Sequence, residues 1–169
     1  MNLFASLETR AEQVLSACRD NKIKIATAES CTGGLIAGCL TAVAGSSDVV
    51  ERGFVTYSNE AKTEMLGVPA ELILRAGAVS EEVSRAMAEG AIEHSRAQLS
   101  LAVTGIAGPG GGTEEKPVGL VHLSCAWQGG ATRHERHVFK GGRDAVRLAT
   151  VETALDMALD AIKAQTALA

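Results

Sequence analysis

Stretches with the apolar spacing of a helix alternate along this chain with short strand-like stretches, and this alternation constrains the fold more than any other sequence feature. Leu99 and Leu101 are two positions apart, as on one face of a strand, whereas Leu155 and Leu159 are four apart, as on one face of a helix. Alternating helices and strands are typical of an α/β fold in which helices cover a sheet. We therefore predict a layered α/β/α sandwich with a mostly parallel sheet.

The elements can be placed approximately from these patterns and from turn residues. Ser80, followed by Glu81 and Glu82, is a predicted helix N-cap. Gln128-Gly129-Gly130 separates two alternating segments, which predicts an antiparallel hairpin whose polar second strand lies at a sheet edge. The predicted strands cover about 23–28, 53–57, 99–104, 121–127 and 132–139, and the predicted helices cover about 7–21, 34–43, 59–66, 81–91 and 143–162. A chain of 169 residues is the size of one domain, so we expect a single domain over 1–169.

Composition excludes several classes of function. The net charge is −4 and there is no run of Lys or Arg, so a nucleic-acid partner is not expected. The four cysteines form no C-x-x-C pair, and no segment has the roughly 20 apolar residues that cross a bilayer. We expect reduced thiols in a cytoplasmic protein, with no metal, no cofactor and no membrane partner. A small anion bound at one local site is compatible with this composition.

The first candidate site is the turn Ala28–Gly34, which connects a strand to a helix. Ser30 in this turn could act as a nucleophile, with an oxyanion received by the backbone amides at the helix start. The alternative is that Ser30 or Thr32 only caps the helix, since both residue types do so often. The turn alone leaves these two interpretations about equal.

A serine nucleophile needs a base, and no histidine is well placed to provide one. His134 and His137 are three apart on a strand and therefore point to opposite faces. Lys62 is a candidate base, because burial can lower the pKa of a lysine toward neutrality. The alternatives are that Lys62 is an ordinary surface lysine and that Tyr57, close before it, is a core aromatic residue.

A glycine-rich loop, Thr104–Gly112, follows the third strand. Ligands of open α/β sheets bind at such strand ends, and a run of backbone amides can hold a phosphate. Gly105, Gly108 and Gly110 would let the backbone approach a ligand closely, although the loop could also be a flexible connector. Arg143, at the predicted start of the last helix, could bind a phosphate or carboxylate, or could be a surface arginine.

Five motifs in one order give this chain a specific resemblance to a known family. They are TAESCTGG, VTYSNEAK, GAVS, TGIAGPGGGTEEKPVG and FKGGRDAVR. Together they resemble the CinA C-terminal domain family over nearly the whole chain. Members of that family include nicotinamide mononucleotide deamidases, which release ammonia and nicotinate mononucleotide.

The resemblance implies roles for individual residues. Ser30 would be the nucleophile and Lys62 its base, with Tyr57 tuning the pair and Thr104 supporting the substrate amide or the nucleophile. The remaining candidates would bind the substrate: Thr32, Gly33 and Gly34 around the oxyanion, and Gly105, Gly108, Gly110 and Arg143 around the 5′-phosphate. The resemblance also implies a homo-oligomer, through the polar edge strand or the terminal helices. A non-catalytic nucleotide-binding domain and an amidase acting on another small amide are the alternative functions.

Overall fold

The computed structural model of the chain describes residues 4–169. Five strands form one sheet; helices precede the first strand, separate the first three strands from one another and follow the last strand. The strands are β1 (Ile25–Glu29), β2 (Val50–Val55), β3 (Leu99–Gly105), β4 (Leu120–Trp127) and β5 (Arg133–Val138). The α-helices are α1 (Glu8–Asp20), α2 (Leu35–Thr41), α3 (Asn59–Leu66), α4 (Ala70–Ala76), α5 (Glu81–Glu93) and α6 (Arg143–Ala167).

The strand order in the sheet is β2-β1-β3-β4-β5. β1 pairs in parallel with β2 and with β3, whereas β4 is antiparallel to both of its neighbours, β3 and β5. Four strands therefore run in one direction and β4 runs against them. β5 lies at an edge, as its polar pattern predicts, and the hairpin of β4 and β5 is confirmed.

Apolar clusters fill both faces of the sheet. On one face Val14 of α1, Ile36 of α2 and Leu155 of α6 belong to the larger cluster. On the other face Leu66 of α3 and Met87 of α5 belong to a second cluster. Helices thus cover both faces of the sheet, and the predicted α/β class with its layered arrangement is confirmed.

Two local predictions need correction. The strand expected over 53–57 instead covers Val50–Val55, because β2 is an edge strand whose exposed side chains hide the alternation. The predicted elements include no helix between 66 and 81, where the structure has α4, directly after Pro69. Proline ends a preceding helix but is compatible with the start of a new one, and here it is the N-cap of α4.

Several other boundaries agree with the sequence. Ser80 caps α5 by accepting a hydrogen bond from the Val83 amide, and α6 begins at Arg143.

All four cysteines are buried free thiols. Within residues 4–169, no helix is long and apolar enough to span a bilayer.

Candidate active site

A cleft of about 200 Å³ lies where β1 and β3 end. Predicted site residues from five separate segments line it: Ser30, Tyr57, Lys62, Thr104, Gly105 and Arg143. A larger groove of about 350 Å³ lies between α3 and α4, with Glu60, Glu64 and Leu74 in its wall. The smaller cleft contains the predicted nucleophile and the predicted base, and none of the predicted site residues lines the larger groove, so chemistry rather than size selects the smaller cleft.

Ser30 and Lys62 are in direct contact in this cleft. Lys62 Nζ lies 3.1 Å from Ser30 Oγ, 2.8 Å from the carbonyl oxygen of Thr56 and 3.4 Å from that of Ser58. Lys62 is only 1% exposed, so the surface-lysine alternative is wrong. Burial lowers the pKa of Lys62 below its ordinary value of 10.5, while the nearby Cys31 opposes this shift.

When Lys62 is neutral, its hydrogen bonds also orient its lone pair. A neutral amine has two N–H donors and one lone pair, and the two carbonyl oxygens can accept both donors. The charged amine donates to Ser30 Oγ, whereas in the neutral amine the lone pair takes that position and the Ser30 hydroxyl donates to it. Among residues 4–169, no carboxylate makes a hydrogen bond or ion pair with Nζ that would hold the charged form. This geometry suits a lysine that accepts a proton from serine.

Cys31, next to Ser30, also lines the cleft, but its thiol is a poor nucleophile. Burial raises the pKa of the Cys31 thiol to about 12. The thiolate, not the thiol, is the reactive form of cysteine. Ser30, with the Lys62 amine in contact, is therefore the better candidate nucleophile of the two.

The turn after Ser30 is held by Glu29, a residue that sequence reasoning missed. The Glu29 carboxylate is fully buried and accepts hydrogen bonds from the Ile36 amide at 2.8 Å and the Ala37 amide at 3.0 Å. It also accepts the Thr32 hydroxyl at 2.6 Å. Glu29 therefore caps α2, and the alternative that Ser30 or Thr32 does so is wrong.

Three residues predicted to surround an oxyanion shape this turn. Thr32 is fully buried and its hydroxyl is bound to Glu29, so its side chain does not reach the cleft. Gly33 and Gly34 have φ angles of 60° and 101°, which residues with a Cβ rarely adopt. Neither glycine lines the cleft. Glycine is required at both positions because the chain turns sharply there.

Tyr57 and Arg143 meet at the mouth of the cleft. Tyr57 is 63% exposed, so it is not a core aromatic residue. Its hydroxyl oxygen accepts a hydrogen bond from Arg143 Nη2 at 3.1 Å, and Arg143 Nη1 donates to the Gly108 carbonyl at 2.9 Å. Arg143 is therefore held at the cleft by Tyr57 and the glycine loop, rather than extending freely into solvent.

The glycine loop is tied to its surroundings at several points. The Ile106 amide donates to the Leu120 carbonyl at 2.8 Å, and the Gly119 amide donates to the Ile106 carbonyl at 2.7 Å. Thr104, which is 1% exposed, donates its hydroxyl to the Ala78 carbonyl at 2.8 Å. These bonds order the first part of the loop, at Thr104 and Ile106, which argues against a flexible connector there.

The predicted glycines of this loop differ in what surrounds them. A Cβ at Gly105 would lie 2.7 Å from the Leu120 carbonyl oxygen, so packing against β4 already requires glycine there. Gly108 is buried with a φ of 88° and offers its carbonyl to Arg143. Gly110 is exposed with open space around it. Gly105 alone of these three lines the cleft.

Arg147 is a second residue that sequence reasoning missed. It lies one turn after Arg143 on α6, and its Nη2 donates to the Thr32 carbonyl at 3.1 Å. Its Nε is buried and makes no hydrogen bond to the described residues. The first turns of α6 thus contact both the turn after Ser30 and the mouth of the cleft.

Comparison with known proteins identifies relatives over most of the chain. The family profile described as the CinA C-terminal domain matches residues 7–162. A CinA-like protein of Akkermansia muciniphila is 54% identical over 157 residues, which are 93% of this chain and 37% of that protein. The nicotinamide-nucleotide amidohydrolase PncC of Escherichia coli K12 is 51% identical over 137 residues, which are 81% of this chain and 83% of that protein.

A solved structure has the same fold. The competence/damage inducible protein CihA of Agrobacterium tumefaciens superposes with a TM-score of 0.92 at 52% sequence identity, covering 96% of this chain and 99% of that one. This chain spans 37% of the length of several of its curated relatives, such as the CinA-like protein of Citrifermentans bemidjiense. The match of sequence, profile and structure shows that this chain belongs to the CinA C-terminal domain family.

Proposed function

We propose that this protein is an amidohydrolase that converts nicotinamide mononucleotide and water to nicotinate mononucleotide and ammonia. The observation that carries the proposal is the contact of 3.1 Å between Lys62 Nζ and Ser30 Oγ in a cleft at the ends of β1 and β3. The name of the E. coli relative supports the choice of substrate.

In the acylation step, Ser30 Oγ attacks the carboxamide carbon while Lys62 Nζ accepts the hydroxyl proton. The tetrahedral intermediate then collapses, the carbon–nitrogen bond breaks, and Lys62 returns the proton to the departing nitrogen. Ammonia leaves and an ester joins the nicotinoyl group to Ser30. Lys62 is neutral again at the end of this step, ready to act on water.

In the deacylation step, Lys62 takes a proton from a water molecule that attacks the ester carbonyl. The bond to Ser30 Oγ breaks, and the proton held by Lys62 returns to that oxygen. The acid product ionises after its release from the enzyme. The sum of the two steps is the addition of one water to the amide, so no redox partner is needed.

Stabilisation of the oxyanion falls to backbone amides of the nucleophile turn. Glu29 already accepts the Ile36 and Ala37 amides, so these donors of α2 do not face a substrate. The amides of Cys31 and Thr32 lie in the turn directly after Ser30, and neither donates to a backbone carbonyl among the described residues. We assign the oxyanion to these two amides, because preorganised donors stabilise developing charge strongly.

The substrate's phosphate is assigned to Arg143. Its guanidinium lies at the mouth of the cleft, where its current partners are two neutral oxygens, of Tyr57 and Gly108. A phosphate would give stronger, charge-assisted hydrogen bonds to the same donors. The neighbouring glycine loop, with Gly110 in open space, can admit the ligand close to the backbone.

The proposal is tested by measuring ammonia release from nicotinamide mononucleotide by the wild type and by Ser30→Ala. Ser16→Ala, at an exposed position of α1, is the matched control. We expect activity in the wild type and the control but not in Ser30→Ala, with unchanged circular dichroism. Full activity in Ser30→Ala would disprove the assigned nucleophile, and binding of the nucleotide without turnover by the wild type would disprove the enzymatic function.

A panel of amides tests the substrate. Nicotinamide riboside has the same carboxamide but lacks the phosphate, so we expect it to be a much poorer substrate. Equal turnover of the riboside, or faster turnover of an unrelated small amide, would argue for an amidase with a different natural substrate.

A further inference from the structure

We propose that Glu29 is a positioning residue for the nucleophile, which fixes the turn that carries Ser30 relative to the segment that carries Lys62. This inference rests on the Ser30–Lys62 chemistry proposed above. It concerns a carboxylate that does not line the cleft, and that therefore acts on the reaction only through its neighbours.

Glu29 caps α2 from an unusual position in the chain. Helices are commonly capped by a short polar side chain at the N-cap itself. The N-cap of α2 is Gly34, which has no side chain to accept a hydrogen bond. The acceptor comes instead from the last residue of β1, five positions earlier in the chain than Gly34. It accepts hydrogen bonds from the Ile36 and Ala37 amides in the first turn of α2, so these contacts close the turn between Glu29 and Ala37.

The same residue holds the lysine side of the cleft through its backbone. The Thr56 amide donates to the Glu29 carbonyl at 2.9 Å, and the Thr56 carbonyl accepts the Lys62 ammonium or amine at 2.8 Å. Glu29 is therefore linked to Lys62 through one intervening residue. Its side chain fixes the turn after Ser30, and its main chain fixes the partner of the base.

Burial of the Glu29 carboxylate costs free energy unless all of its hydrogen bonds are formed. A buried carboxylate is tolerated when hydrogen bonds replace its hydration, and Glu29 has three such bonds from two amides and one hydroxyl. Movement of the turn would break at least one of them. The carboxylate thus allows the turn a single position, and the catalytic distance between Ser30 and Lys62 depends on that position.

Glu29→Gln is the test variant, because it keeps the shape of the side chain but replaces one acceptor oxygen with an NH₂ donor. Whichever way the amide is oriented, that donor faces the amide of Ile36 or of Ala37, and one hydrogen bond becomes a repulsive contact. We expect kcat for nicotinamide mononucleotide to fall about 100-fold, since a displacement of about 1 Å can cost that much. KM should stay within about threefold of the wild type.

A purely structural role would give a different result. It would lower the melting temperature and the folded fraction, but kcat per folded molecule would equal that of the wild type. Glu51→Gln, an ion-paired glutamate on the neighbouring edge strand, is the matched control, and its kcat should not change. Unchanged kcat in Glu29→Gln, or a loss seen only in KM, would overturn the proposal.

A milder variant decides the matter if Glu29→Gln does not fold. Thr32→Val removes only the hydroxyl that donates to Glu29 at 2.6 Å and keeps the volume of this buried side chain. We expect a several-fold loss of kcat at unchanged KM, and wild-type kcat in this variant would overturn the proposal. Because the wild type and Ser30→Ala are measured in parallel, failure of the nucleophile assignment is recognised separately.

Discussion

Lys62 Nζ lies 3.1 Å from Ser30 Oγ, although the two residues are 32 positions apart in the chain. Ser30 directly follows β1 and Lys62 lies on α3. Parallel pairing of β1 with β2 sets the distance between β1 and α3. The amine also contacts the carbonyls of Thr56 and Ser58, in the segment between β2 and α3. The pair is thus a product of sheet topology, and its chemistry can be tested by altering the lysine alone.

Replacement of Lys62 by methionine should abolish most of the activity while preserving the packing. Methionine is neutral, is of similar length and suits a buried site, but it cannot accept the proton of Ser30. A general base contributes about 10²–10⁴-fold to the rate, so kcat should fall by at least about 100-fold. Lys62→Arg should fail similarly, because arginine stays protonated in proteins. Steady-state ammonia release measures both, and substantial activity in Lys62→Arg would contradict a role as base.

Activity and stability should both depend on pH through Lys62. Burial lowers its pKa below 10.5, so the neutral form, which the proposed role as base requires, accumulates with rising pH earlier than for an exposed lysine. In the unfolded chain the lysine takes up its proton near its ordinary pKa, and in the folded protein only at lower pH. The wild type therefore loses stability as pH falls through the window between those two pKa values.

Urea unfolding of the wild type and of Lys62→Met at pH 7 and at pH 10 measures this linkage. We expect the wild type to gain stability relative to the variant on going from pH 7 to pH 10. A difference in the free energy of unfolding that is the same at both pH values would contradict a depressed pKa at Lys62.

Local signals in the sequence were sufficient to predict much of the fold. The alternation of Leu99 and Leu101 marks β3, Ser80 marks the start of α5, and the two glycines before Arg143 mark the start of α6. These features depend on residues that are neighbours in the chain. The burial of Lys62 also had a local signal, because Lys62 and Leu66 are four apart and both lie on the buried face of α3.

The contacts that organise the site could not be predicted in this way. Arg147 binds the carbonyl of Thr32 across 115 positions, and Arg143 binds Tyr57 across 86 positions. Such pairs depend on how α6 packs on the sheet, which no short motif records. Glu29 was missed because a buried carboxylate at a strand end looks, in sequence, like a surface residue at a turn.

His122 should make the fold sensitive to mild acid. It is 8% exposed, its Nδ1 lies 3.0 Å from His134 Nε2, and its cross-strand partner is Thr104 of the cleft. Burial, followed by the charges of His134 and Arg136, lowers the pKa of His122 to about 4. The unfolded chain binds the proton near pH 6.5, so stability is lost as pH falls from 6.5 toward 4.

Between pH 7 and pH 5 this linkage is on the order of 1–2 kcal/mol, at 1.36 kcal/mol per pKa unit. His122→Gln should remove most of that pH dependence in urea unfolding. His94→Gln, at the exposed end of α5, is the matched control. In this variant the loss of stability at low pH should remain as in the wild type. An unchanged acid response in His122→Gln would show that other groups cause it.

Arg143 and Tyr57 provide a test that separates substrate binding from catalysis. Arg143→Gln removes the charged donors at the mouth of the cleft but leaves Ser30 and Lys62 in place. A hydrogen bond to a charged group contributes about 1.5–3 kcal/mol, so KM for nicotinamide mononucleotide should rise about 10- to 100-fold. Turnover of nicotinamide riboside, which has no phosphate, should change little, and an equal loss on both substrates would contradict phosphate binding.

Tyr57→Phe distinguishes two roles for the tyrosine hydroxyl. The hydroxyl contacts Arg143, and no hydrogen bond joins it to Ser30 or Lys62 among the described residues. If it only holds Arg143 in position, the variant raises KM for the nucleotide a few-fold and leaves kcat and its pH profile as in the wild type. If it tunes the Ser30–Lys62 pair, kcat falls on nucleotide and riboside alike. We expect the first result, because the contact with Arg143 already accounts for the position of the hydroxyl.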